Sequence, residues 1–175
     1  MTKQRLFVLV AGSFLTLSAA AGPVLSDAVQ GKTVTLSSCE DKSLEIKFLC
    51  DPDWRLKSED DVMLITIAEQ PVVTMTLSRT DAPVNALEQL TKDIIQHIGQ
   101  YRSGFKTEPG KVGGVDAIHV AGSPQNYPYI QLSDYYFFHD GKLYSLLFSV
   151  NSQERFNDYA ELFRKIKDSV GFMGS

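Results

Sequence analysis

Two apolar runs, residues 127–138 and 142–150, are joined by His139-Asp140-Gly141. Asp-Gly between such runs favours a type I′ turn, whose central positions both need positive φ. The turn matches the twist of paired strands, so the chain must contain an antiparallel hairpin here. Residues 62–68 and 72–78 form a second candidate hairpin, separated only by Glu69-Gln70-Pro71. Residues 33–37 and 44–48 read as strands around a charged turn at Glu40-Asp41-Lys42, and Asp51-Pro52-Asp53-Trp54 ends the second of them. Residues 115–120 follow a Gly113-Gly114 turn as a further strand.

Two segments carry helical periodicity instead. Over residues 85–101, Leu87, Leu90, Ile94, Ile95 and Ile98 fall on one side, and Asn85 with Glu88 makes a capping box. From Asn151, with Glu154 as its box partner, a last helix places Phe156, Tyr159, Ala160, Phe163, Ile166 and Val170 on one face. The sequence therefore predicts an α+β fold: a central antiparallel β-sheet flanked by helices, an α/β/α sandwich. Most connections are too short for the crossovers of a parallel sheet.

Lys3 and Arg5 precede an apolar run, residues 6–21, that gives way to polar sequence after small residues, the layout of a secretory signal peptide. Residues 1–21 are read as the leader, with cleavage after Ala20 or Ala21, or as late as Ala28. No later stretch reaches the roughly 20 apolar residues of a spanning helix. Removing residues 1–28 leaves 147 of the 175 residues, enough for one domain, placed at residues 33–172. The expected location is the periplasm or the extracellular space.

The removed segment takes two basic residues and one acidic residue with it, leaving 15 basic against 20 acidic side chains, the opposite of a nucleic-acid-binding surface. Cys39 and Cys50 form an even pair suited to one structural disulfide in an oxidising compartment. Leu36-Ser37-Ser38-Cys39 has the form of a lipoprotein cleavage box, but residues 26–35, carrying Asp27, Gln30 and Lys32, separate it from the apolar run it should abut.

No reactive constellation is legible. His97, His119 and His139 lack zinc-ligand spacing, and the carboxylates Asp51, Asp53, Glu59, Asp60 and Asp61 lack the alternation and glycine of a calcium loop. No serine stands in a Gly-x-Ser-x-Gly elbow, and Gly31-Lys32-Thr33 has Ser26 where a phosphate loop needs glycine. The reading is a non-enzymatic protein without metal or cofactor. The feature that marks a binding surface is aromatic density: Tyr127, Pro128, Tyr129, Tyr135 and Tyr136 are candidates for a groove taking a partner or an apolar or peptide ligand. On a strand, Tyr135 and Tyr136 face opposite ways.

In order, the strand at residues 44–48, the Pro52-Asp53-Trp54 bend, two strands, a helix, Gly114-Val115-Asp116-Ala117, two long strands and a helix ending Ile166-Lys167-Asp168-Ser169-Val170-Gly171-Phe172 resemble a PsbP-like domain over most of residues 33–172. This fold is shared by extrinsic photosystem proteins, periplasmic DcrB lipoproteins and a nuclear Ran-binding factor. The resemblance implies a sheet between helices and an accessory or assembly protein that binds another protein. No residue role is carried over from the family. The partner's identity and the oligomeric state are not set by the sequence.

Overall fold

The Asp140-Gly141 hairpin stands at the middle of the molecule. In the computed structural model, which describes residues 25–29, 32–82 and 87–174, both turn residues have positive φ (46° and 73°). They join β9 (Gln131–His139) to β10 (Lys142–Val150) in antiparallel register, with His139 opposite Lys142 and Phe137 opposite Tyr144. β10 also pairs along its length with β6 (Val72–Asp81), the second strand of the other predicted hairpin. That hairpin's first strand is β5 (Val62–Glu69).

The sheet extends to seven antiparallel strands. Beyond β5 lies β4 (Arg55–Glu59); beyond β9 lie β8 (Val115–Pro124) and β7 (Arg102–Val112). β4 has a single apolar residue, Leu56, among charged and polar neighbours, the composition of an edge strand that must resist further pairing.

A second, four-stranded sheet runs β1 (Leu25–Val29), β2 (Lys32–Asp41), β3 (Ile46–Cys50) and β11 (Gly171–Phe172). Its buried Leu36, Ile46 and Phe48 share one core with Ile65, Met75, Phe137, Leu146 and Phe148 of the large sheet. Cys39 and Cys50 are joined by a disulfide between β2 and β3, with Cα atoms 5.9 Å apart. Leu36 is wholly buried. The helix α2 (Ala160–Ser169) completes this layer through Leu162, Phe163 and Ile166, with Phe163 stacked on Phe148.

The predicted sheet between helices is therefore corrected to a sheet-dominated fold. One face of the large sheet is covered mainly by another sheet, and the helices flank it only in part. The final helix is also shorter than expected. Residues Gln153–Tyr159 are a 3-10 segment preceded by Ser152, whose side chain makes no cap, and Val170 lies past the helix before the chain returns as β11.

On the other face lies α1 (Leu87–Ile98), which packs Leu87, Leu90, Ile94 and Ile98 against Ile118, Val120, Phe105 and Tyr136. The Asn85 cap and the leader fall outside the described residues. No described helix is long and apolar enough to cross a membrane. Gly113 locks the β7–β8 turn to the end of α2: its N–H donates to the Lys167 carbonyl at 3.0 Å, and a Cβ there would sit 1.8 Å from the Val170 carbonyl oxygen.

Candidate functional site

The four candidate tyrosines occupy three environments. Tyr127 and Tyr129 lie in the β8–β9 loop, half exposed, their rings edge-to-face at 6.1 Å. Tyr135 lies on the α2 side of the sheet, stacked on His119 with ring centroids 4.5 Å apart. Tyr136 lies on the α1 side and donates to Asp134 Oδ2 at 3.1 Å, and burial pushes its phenol well above the ordinary range. The alternation of β9 thus divides Tyr135 from Tyr136, while Tyr127 and Tyr129 flank Pro128, which lines a cleft with Ala121 and Gln131.

Two surfaces flank the large sheet. On the α1 side the helix covers only the β7–β8–β9 end. Over β5, β6 and β10 that face carries Val62, Leu64 and Val72, which are 45%, 39% and 44% exposed, alternating with Thr66, Thr74, Thr76, Ser78 and Ser145. On α1 itself Ile95 is exposed. An apolar area of this kind, mixed with hydroxyls and left uncovered by the described residues, suits contact with another surface.

The α2 side carries a polar row across three strands. Glu108 on β7 is opposite His119 on β8, which is opposite Tyr135 on β9. His119 Nδ1 lies 2.9 Å from Glu108 Oε1, and its Nε2 lies 2.8 Å from Ser133 Oγ. A carboxylate only accepts, so the tautomer that fits this geometry carries its proton on Nδ1 and leaves Nε2 to accept from the Ser133 hydroxyl. Tyr135 is shifted upward by burial against the opposing pull of a Ser133 hydrogen bond, with Glu108 and Asp168 adding to the rise. Next along the same face, Ala121 and Gln131 line a cleft of about 580 Å³ with Ser103, Lys106, Ser123 and Gln153.

On the α1 side, Asp134 is buried and paired with Arg102, while Arg102 Nη1 and Asp134 Oδ1 have no partner among the described residues. Burial raises the Asp134 carboxyl above its ordinary value even though Arg102 and the Tyr136 hydroxyl pull it down.

The remaining polar candidates serve the fold. Asp51 accepts from Thr35 N–H at 2.7 Å and Asp53 N–H at 2.9 Å, closing the bend, and Asp61 pairs with Arg79. His139 stacks on Phe172, and His97 is exposed on α1. Neither the Ser133–His119–Glu108 chain nor the Arg102–Asp134 pair was legible beforehand. Their members are 11 to 32 residues apart, and only strand register brings them together.

These layers define a PsbP-like fold. The chain is similar to cyanobacterial PsbP (CyanoP) from Synechocystis sp. PCC 6803, with 13% identity over 78% of this chain and 92% of that one and a TM-score of 0.56. It is similar also to PA94 of Pseudomonas aeruginosa, described as a protein of unknown function and putative regulator, at 9% identity, 76% and 94% coverage, and a TM-score of 0.53. LpqN of Mycobacterium tuberculosis, described as involved in cell envelope biogenesis, matches at 13% identity over 87% and 99% with a TM-score of 0.50. At such identities the likeness speaks for the fold alone. No protein-family model matches the sequence, and no curated protein matches it.

Proposed function

We propose that this chain is an exported accessory protein that acts by contact, docking a partner protein on the open face of the large sheet over β5, β6 and β10. The observation that carries this reading is the partial cover: α1 shields one end of the face, while Val62, Leu64 and Val72 stay exposed beside it. On the neighbouring β4, Glu59 stands opposite Val62 and Lys57 opposite Leu64, so charged side chains border the apolar groups, and the hydroxyls between those groups supply directional bonds to a partner's polar atoms. The disulfide and a fold shared with LpqN, described as involved in cell envelope biogenesis, are compatible with export.

The experiment is site-specific photo-crosslinking in the source cells, with the reactive side chain placed at Leu64 and, as a control, at Glu161 on α2. A discrete adduct from position 64 that is absent from position 161 and lost in a V62E/V72E background supports the reading. Equal capture from both positions, or capture unaffected by the two charges, overturns it.

A further inference from the structure

We propose that Ser133 is a nucleophile activated by His119 and positioned through Glu108, and that the adjoining cleft takes an ester of a small polar acyl group. This goes beyond the docking reading, concerns the opposite face of the sheet, and runs against the expectation of a protein without reactive groups. The strands impose the arrangement. Glu108 and His119 are direct neighbours across β7 and β8, and Ser133 sits diagonally from His119 on β9. The contacts at 2.9 Å and 2.8 Å engage both ring nitrogens in the sense a base needs, with carboxylate at Nδ1 and hydroxyl at Nε2.

Packing limits the motion of His119 and Ser133, while Glu108 lies at the exposed edge of the row. The His119 ring lies flat on Tyr135, 11° from parallel, and the Lys167 ammonium sits 5.7 Å from the centre of that tyrosine ring. Ser133 is 6% exposed, and its neighbours along and across the sheet, Gln131 and Ala121, both line the cleft. At about 580 Å³ the cleft is within the range of small-molecule sites. Ser103, Lys106 and Gln153 in its lining are exposed and make no side-chain hydrogen bond with another described residue, so polar groups at the cleft's rim are available to a polar acyl group.

The step balances within the chain and water. Ser133 Oγ bonds to the acyl carbon while its proton passes to His119 Nε2, and the carbonyl electron pair moves to oxygen. That pair returns as the ester C–O bond breaks, and Nε2 gives its proton to the departing alcohol. Water then repeats the sequence, releasing the carboxylic acid and restoring the serine hydroxyl.

The test uses the full chain and a biotinylated fluorophosphonate, in which Oγ displaces fluoride from phosphorus. Intact mass and peptide mapping should find a single adduct on Ser133. H119A should slow labelling by about 100-fold or more and E108Q by about 10-fold. S133A should be unlabelled while keeping a cooperative melt, lowered by the loss of one buried hydrogen bond, and V62E/V72E should label like the parent, which separates this site from the docking face. An unlabelled parent chain under conditions that saturate a known serine hydrolase overturns the proposal, and mapping the adduct elsewhere does so even if S133A fails to fold. Full-rate labelling of H119A overturns it as well.

Discussion

Removing the Asp134 carboxylate should cost far more stability than removing both members of its ion pair. Asp134 and Arg102 are almost entirely shielded from water, with side chains 3% and 12% exposed, and each keeps one buried polar atom without a partner among the described residues. Burial outweighs the attraction of Arg102 in setting the Asp134 carboxyl, which places the pair near the balance point where desolvation cancels Coulombic gain. D134A leaves a buried guanidinium unpaired beside a site flanked by Val120 and Tyr136, a loss of about 3–5 kcal/mol. For a domain of this size each kcal/mol moves the melting temperature by about 2–4 °C, so the expected fall is roughly 6–20 °C.

R102M/D134L, which fills similar space without charge, should return to within about 1 kcal/mol of the parent or exceed it. Urea unfolding of the parent, the two single variants and the double variant closes the cycle. A D134A loss below about 1 kcal/mol, or a double variant as unstable as the worse single one, would refute the argument from desolvation.

Asp41 should give the opposite pH dependence. Burial raises its carboxyl, but bonds from Ser43, Leu44 and Ser58 outweigh that and hold it below the ordinary value. Its stabilisation is present above the unfolded pKa and is lost as pH falls through the folded one, whereas ionising Asp134 costs stability as pH rises through its raised value. D41N should therefore flatten the acid limb of a stability profile between pH 2 and 5, and D134N should not. G113A should lose more than about 2 kcal/mol in the same unfolding assay, because the added methyl meets the Val170 carbonyl and the backbone at φ +55° disfavours a side chain.

What could be read from the chain was whatever repeats locally. Asp140-Gly141 specified its hairpin through backbone sterics, and the alternation of Tyr135, Tyr136, Phe137 and Phe138 divided two faces before any coordinates. The Cys39–Cys50 bridge followed from number and proximity. β4 was hidden because Arg55-Leu56-Lys57-Ser58-Glu59 has too few apolar residues to show a period, as befits an edge. β11 was hidden because two residues carry no pattern, and the second sheet because its partnership with the first is made by tertiary packing alone. The tyrosine groove assumed proximity that sequence order cannot supply. The His119 chain needed three registers at once, and no local signal encodes those.

The pairing of Gly171 and Phe172 with Lys47 and Ile46 bears on when the domain can close. During synthesis at about 5–20 residues per second, β3 waits roughly 6–25 s for the neighbour that finishes its sheet. The same two residues bring the ring of Phe172 to the aromatic cluster around Phe137 and Tyr144, which is itself made only late in that interval. The small sheet is therefore the last part of the domain that synthesis completes.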